Sequence, residues 1–300
     1  MFKRVIGALS IAVWLFGCAG TSNGTVVDVT TAEEELKTLV NEFQGDVGIY
    51  VRHLPSGNEI SIDADSLFPT ASMVKVPIML ALFDRIVKDS LDYDTTLIWY
   101  SDLINYPAGG ILSSFKDSSK ISLTKLISLM ITYSDNHASL WSQELAGGGL
   151  LINEWLQANG YEQTRVNSRT PDRYPDWEKY GWGQTTPKEM AELLVMIHEN
   201  RAVNAWASEE MYRYLTRIYW DDEALAPIPR TVQVASKQGA VSASRSEVVL
   251  VNGPAGDYVF CVITNNQKDT SWDIDNEGYV LLRDISRVLW QFFSRTAASY

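Results

Sequence analysis

From Phe68 to Leu80 the chain reads FPTASMVKVPIML, a run apolar enough to demand burial that nevertheless carries a hydroxyl at Ser72 and an amine at Lys75. Its Met, Leu and Ile content allows a helix, and residues three apart on a helix share a face, so the two groups can touch. A Lys half buried among Val74, Val76 and Ile78 loses the solvation that keeps it protonated. A neutral amine can then take the serine proton and make the oxygen a nucleophile. The competing reading is a lysine that snorkels from a core helix beside an incidental serine. S-x-x-K alone does not separate the two. Pro77 lacks an N–H, so a helix running through it is expected to bend just after Lys75.

Two further stretches supply partners. Tyr133-Ser134-Asp135-Asn136 offers a second hydroxyl with a carboxamide two residues on. Ser236-Lys237-Gln238-Gly239-Ala240 offers a second Lys in a strand-like segment, followed by a Gly that lets a ligand approach the backbone. S-x-x-K, S-D-N and K-T-G together form the motif set of class A β-lactamases and penicillin-binding proteins. The three stretches here stand in that order, and the chain resembles the class A serine β-lactamase family from about Glu34 to its C-terminus.

The resemblance implies roles. Ser72 would attack a carbonyl and become acylated, with Lys75 as its base or proton relay. Ser134 would pass the proton to the leaving atom, and Lys237 would hold Ser134 while lowering the pKa of Lys75 by like-charge repulsion. Asn136 would donate its amide to the acyl side chain of the substrate. The backbone N–H groups of Ser72 and Ala240 are the natural oxyanion donors. Arg245 stands where a basic residue binds the substrate carboxylate in the family, although a solvated Arg at a strand start fits as well. Asp135 reads as a helix cap and His137 as a bystander.

Two departures from the family pattern bear on activity. Gln238 stands where the family carries Thr or Ser, so the carboxylate site loses a small hydroxyl and binding of an ordinary β-lactam should weaken. The family also places a Glu, with an Asn four residues on, in the loop before Thr185 to activate the water that hydrolyses the acyl-enzyme. Ser168 to Tyr174 contains neither. Asp172 and Glu178 are the nearest carboxylates and could substitute only if the loop folds differently. Without such a base the acyl-enzyme should persist.

Patterning along the chain points to an α+β fold. Thr31 to Phe43 has helical spacing, with Thr31 as N-cap. Asp46 to Arg52 and Glu59 to Ile62 read as a hairpin, and Thr231 to Gly239, Glu247 to Asn252 and Asp257 to Thr264 as three more strands before a closing helix near Tyr279 to Phe293. Between them lie a helix capped by Ser122, two short helices split at Gly147 to Gly149, and an irregular loop from Asn167 to Gln184. A helix capped by Thr186-Pro187-Lys188-Glu189 follows, then another from Ser208 to Arg217 with Ser208 as N-cap. Strands at both ends with helices between imply an antiparallel five-stranded sheet flanked by helices, with an inserted all-helical lobe. The expected division is a sheet lobe from residues 31–68 and 220–300 and a helical lobe from 69–219.

The N-terminus reads as an export segment. Lys3 and Arg4 precede an apolar run from Val5 to Phe16, too short to span a bilayer comfortably, that ends in Gly17-Cys18. Residues 1–18 look like a bacterial lipoprotein signal with lipid attached to Cys18, or else a plain secretory signal with an accidental Cys. Residues 19–30 would be a tether. The expectation is an exported lipoprotein, anchored to a membrane and facing the periplasm or cell exterior. Cys261 is then unpaired and reads as a core thiol.

With 300 residues, 46% of them hydrophobic, the chain can bury a substantial core, and a net charge of −12 makes a nucleic-acid partner improbable. There is no G-x-S-x-G elbow, and His53, His137 and His198 are not in zinc-ligand spacing. No metal or organic cofactor is expected, and the chain is read as a monomer. Three functions stay open: a serine acyl hydrolase acting on β-lactams or related amides and esters, a D-alanyl peptidase acting on the cell wall, and a non-catalytic module that binds wall fragments. A nucleophile beside two lysines argues against the last.

Overall fold

The computed structural model describes residues 29–88 and 90–295. In chain order the elements begin with α1 (Thr30–Glu42), β1 (Asp46–His53), β2 (Glu59–Ile62) and β3 (Phe68–Pro69). A 3-10 turn at Ala71–Val74 leads into α2 (Lys75–Val87). β4 (Thr96–Trp99), β5 (Ser119–Ser122), α3 (Leu123–Thr132), α4 (Asn136–Leu145) and α5 (Gly148–Ala158) follow. Then come β6 (Arg165–Val166), α6 (Tyr174–Tyr180), β7 (Gly183–Thr185), α7 (Pro187–His198) and α8 (Ala205–Leu215). β8 (Val234–Val241), β9 (Ser244–Val251), β10 (Tyr258–Asn265) and α9 (Glu277–Arg295) close the described chain.

The main sheet has five strands in the order β2-β1-β10-β9-β8, all antiparallel. Its central strands are buried on both faces. Val47, Ile49, Val51, Val249, Phe260 and Val262 point to one side, where α1 and α9 bring Leu36, Leu282, Ile285 and Leu289. Each such side chain contributes about 1.5–3 kcal/mol through burial. Tyr50, Val248, Leu250, Cys261 and Ile263 point to the other side and join the larger core of α2, α3 and α7. Cys261 is a free, buried thiol. Period-two alternation thus assigns every residue of β8 and β9 to a defined face, which later decides the fate of Arg245.

Several local expectations are corrected. Pro77 is not in a helix interior: α2 begins at Lys75, after the 3-10 turn, and Pro77 lies in its first turn, where the N–H groups have no intrahelical acceptor anyway, so the proline breaks no helix bond. Ser208 is not an N-cap: α8 starts at Ala205, and Asn204 caps it by accepting from the Ala207 N–H at 2.8 Å. The Ser208 hydroxyl instead donates to the Ala202 carbonyl at 2.8 Å. Thr31 lies inside the first turn of α1. The stretch from Asn167 to Gln184 is not wholly irregular, since it holds α6 and the start of β7.

Thr186 caps α7 as expected, accepting from the Glu189 N–H at 3.1 Å. The Glu189 carboxylate turns elsewhere and accepts from the backbone N–H groups of Glu162, Gln163 and Thr164. It therefore pins the segment that leads into β6. Together β3, β7 and β6 form a small sheet, and the Thr70 N–H donates to the Gly183 carbonyl at 2.9 Å. A Cβ at Gly183 would lie 2.8 Å from the Arg165 carbonyl, Thr70 Oγ1 and Val74 Cγ2. Glycine there allows the loop to close against the turn that carries Ser72. The signal segment, Cys18 and tether residues 19–28 lie outside the described residues, while Thr30, expected to end the tether, opens α1.

Candidate active site

Ser72 sits in the 3-10 turn and Lys75 is the first residue of α2. Residues three apart eclipse in such a turn, and Lys75 Nζ is 2.7 Å from Ser72 Oγ. Ala71, immediately before the serine, has φ +43°. A left-handed backbone at a non-glycine residue costs about 1–3 kcal/mol and persists only where its surroundings enforce it. Here the buried Met73 and Val74 and the Thr70 to Gly183 bond do so.

Ser134 occupies the corner between α3 and α4 at φ +58°, a second strained position. Asp135 holds that corner as the N-cap of α4: one carboxylate oxygen accepts from the Ala138 N–H at 2.9 Å and the other from the Leu112 N–H at 3.0 Å. The corner aims the Ser134 hydroxyl at Lys75, 2.9 Å from Nζ. Lys75 also donates to the Ser134 carbonyl at 2.9 Å and to Asn136 Oδ1 at 3.0 Å. His137 stays aside, with Nε2 3.3 Å from the Tyr106 carbonyl.

Lys237 enters from β8, with Nζ 3.1 Å from Ser134 Oγ. One hydroxyl therefore lies between two amines. Both lysines are fully buried. Burial drives the Lys75 pKa well below the ordinary lysine value, the charge on Lys237 lowers it further, and Asp135 opposes the shift. Burial likewise pushes Lys237 down to about 7, against the attraction of Glu223 and Glu247. The arrangement favours a neutral amine beside Ser72.

Gly239 brings β8 against the nucleophile. A Cβ there would lie 2.7 Å from the Thr70 carbonyl and 3.0 Å from the Ser72 nitrogen. The backbone at Gly239 and Ala240 thus runs past the serine, as an oxyanion hole requires. Gln238 Oε1 accepts from Lys237 Nζ at 2.6 Å, so the residue that replaces the family hydroxyl ties up the neighbouring ammonium.

Arg245 is not at the site. It pairs with Ala240 across β8 and β9, so its side chain emerges on the opposite face from Lys237 and Gly239. There it is fully buried, stacked 4.6 Å from the rings of Trp272 and Tyr279 and donating to the carbonyls of Val241, Ser244 and Ser271. The site-facing position of β9 belongs to its neighbour Ser246, whose hydroxyl donates to the Gly239 carbonyl at 3.1 Å. Asp172 and Glu178 are both solvent-exposed, and neither is among the hydrogen-bond partners of Ser72 or Lys75. The loop instead presents Trp182, whose ring centroid lies 6.0 Å from Lys75 Nζ. Tyr106 packs edge-on against Trp182 at 5.3 Å, and its hydroxyl accepts from Asn136 Nδ2 at 3.4 Å.

Ser72, Lys75, Ser134, Asn136 and Lys237 therefore converge. A model of the β-lactamase enzyme family matches residues 31–293. This chain belongs to the β-lactamase enzyme family. Within that family it is similar to β-lactamase VEB-1 of Pseudomonas aeruginosa, 22% identical over 304 residues that cover 97% of this chain and 99% of the relative. β-Lactamase SME-1 of Serratia marcescens is 24% identical over 236 residues, 76% of this chain and 74% of that protein. Among solved structures, PBP-A, captured in a substituted form as an acyl-enzyme with penicillin G, matches with a TM-score of 0.78 at 25% identity over 89% of this chain and 97% of that one. The β-lactamase of Sphaerobacter thermophilus matches in fold with a TM-score of 0.77 at 21% identity, covering 90% and 98%. The architecture is the α+β one shared by β-lactamases and penicillin-binding proteins, and the relatives support a hydrolase of the β-lactamase family.

Tyr106, Trp182 and Ser246 were not legible as site residues. Trp182 lies in the Asn167 to Gln184 loop, whose sequence carries no periodic pattern that would aim a side chain. Ser246 was within reach of a simple count: alternation along β9 from the partner of Gly239 selects Ser246 and rejects Arg245.

Proposed function

We propose that this protein is an acyl-serine enzyme of class A type that forms an ester at Ser72 with β-lactams or related amides and esters and releases it slowly. The observation that carries the reading is the 2.7 Å contact between Ser72 Oγ and a buried, pKa-depressed Lys75. Lys75 Nζ takes the Ser72 proton as Oγ attacks the carbonyl carbon. The carbonyl–nitrogen bond breaks, Ser134 gives its proton to the leaving nitrogen, and the Lys75 ammonium, 2.9 Å away, replaces that proton. The N–H groups of Ser72 and Ala240 hold the oxyanion; a donor of this kind is worth about 3 kcal/mol.

Release of the ester needs a base for water; Lys75 touches Ser72, Ser134, Asn136 and Trp182, the nearby Asp135 carboxylate is taken up by the Ala138 and Leu112 N–H groups, and the loop carboxylates Asp172 and Glu178 lie in solvent. That lack also favours a second reading, a penicillin-binding-type D-alanyl peptidase, in line with the likeness to PBP-A in its penicillin G acyl-enzyme form. Export and lipid attachment at Cys18 complete the proposal and place the site outside the inner membrane.

Mixing the protein with a chromogenic cephalosporin in a stopped-flow instrument separates acylation from release. The expected trace is a colour burst of one equivalent followed by a much slower phase. Linear turnover without a burst would mean that another group replaces the missing base. No colour with either the native chain or a large excess of reagent would leave the wall-fragment binding module as the better account.

A further inference from the structure

The group that leaves the carbonyl carbon takes its proton from Ser134, so the surroundings of Ser134 decide which leaving groups fit. Two ammonium groups touch that hydroxyl, and a lysine has three N–H donors. Lys237 Nζ directs its donors to Ser134 Oγ at 3.1 Å, the Gln238 carbonyl at 3.1 Å and Gln238 Oε1 at 2.6 Å. Lys75 Nζ is likewise engaged by Ser72, Ser134 and Asn136. A carboxylate arriving here finds both lysines saturated. Burial also draws Lys237 down to about 7, so much of its charge is gone at neutral pH. Arg245 gives no help, being fully buried on the other face of the sheet beneath the ring of Trp272.

The same corner offers ring surface instead. The Tyr219 N–H donates to the Thr132 carbonyl at 3.0 Å, and Trp220 Nε1 donates to the Tyr133 carbonyl at 3.1 Å. These bonds fasten two aromatic residues to the backbone just before Ser134. Tyr133 and Tyr219 lie 5.3 Å apart at 32°, and Trp220 meets Tyr219 edge-on at 5.2 Å. The cluster stays open to solvent: Tyr133 is 41%, Tyr219 60% and Trp220 44% exposed. Rings held in place yet uncovered are where a flat apolar group gains most by docking.

We infer that the enzyme selects substrates whose leaving group is uncharged and aromatic, and that saturation of Lys237 by Gln238 disfavours a leaving group bearing a carboxylate. The inference rests on the acyl-enzyme reading above and narrows its substrates to neutral aryl esters and amides. For an aryl ester, Ser72 Oγ bonds to the carbonyl carbon, the bond to the phenol oxygen breaks, and that oxygen takes the Ser134 proton. A D-alanyl peptide, which loses an amine carrying a carboxylate, fits this corner poorly.

The test uses three esters of one acid, N-phenylacetylglycine, with phenol, 3-hydroxybenzoic acid or methanol as the leaving group. All three leave the same acyl group on Ser72, so only the leaving side differs. Labelling rates are read by intact mass and divided by the rate of each ester with hydroxide. On that scale the phenyl ester should label at least as fast as the 3-carboxyphenyl ester and about 10-fold faster than the methyl ester, as expected for covering a ring. Gln238→Thr removes the acceptor at 2.6 Å and should shift the ratio of the two aryl esters about 10-fold toward the carboxylate, the order of one charge-assisted hydrogen bond. Tyr219→Ala and Trp220→Ala should each lower the phenyl-to-methyl ratio, whereas general damage would slow both esters alike. A faster 3-carboxyphenyl ester in the native chain, an aryl ratio unmoved by Gln238→Thr, or a phenyl-to-methyl ratio untouched by both ring substitutions would overturn the inference. If penicillin G labels Ser72 but none of the esters does, the inference fails alone; if penicillin G fails as well, the acyl-enzyme reading falls and takes the inference with it.

Discussion

At Lys237 and Gly239 the chemistry depends on single atoms. Lys237 is charged below about pH 7, and its charge helps keep Lys75 neutral after the larger effect of burial. Lys237→Gln removes that repulsion, so the Lys75 pKa should rise. Because acylation needs the neutral amine, the acid limb of its rate profile should move to higher pH in the variant. A pH series of Ser72 labelling rates checks this, and an unmoved limb would show that Lys237 does not tune the base. At Gly239, a methyl group would meet the Thr70 carbonyl at 2.7 Å and the Ser72 nitrogen at 3.0 Å. Gly239→Ala should therefore slow acylation about 100-fold, the order lost with one oxyanion donor; labelling kinetics beside a thermal melt separate this from unfolding. The motif residues were readable because each carries an unusual group in an apolar setting. Arg245 misled because a charge was matched by position, whereas the pleat decides which way a strand residue faces.

The second hydroxyl is held by an element boundary. Asp135 caps α4 and also binds the Leu112 N–H, so one carboxylate fixes both the helix start and the corner bearing Ser134. Asp135→Ala should cost about 1–2 kcal/mol of stability and slow acylation as Ser134 loses its aim. Urea denaturation and labelling rates measure the two effects. Helices with a strong apolar stripe and a polar cap were legible, as Ser122 and Thr186 show. Where two cap-competent residues lie close together, tertiary contacts choose: Asn204 takes the helix end while Ser208 bonds the loop at Ala202. Pro77 was legible as a helix problem, but only the 3-10 start before Lys75 shows why it causes none.

Across the whole molecule, strands from the two ends of the chain meet in one sheet, and β8 carries Lys237 to a serine more than a hundred positions earlier. Alternating strands at both termini and amphipathic helices between them made that topology legible. The aromatic wall of Tyr106 and Trp182 was not, because it arises where two loops meet and neither has a periodic pattern. The function proposed for this arrangement is a serine ester that forms faster than it is released. The most direct measurement is the lifetime of the Ser72 ester: label with penicillin G, remove the excess, and follow intact mass in the native chain and in Ser72→Ala. The account predicts a single adduct in the native chain only, decaying far more slowly than it formed. Labelling that persists in Ser72→Ala, or hydrolysis of penicillin with no adduct accumulating, would contradict it.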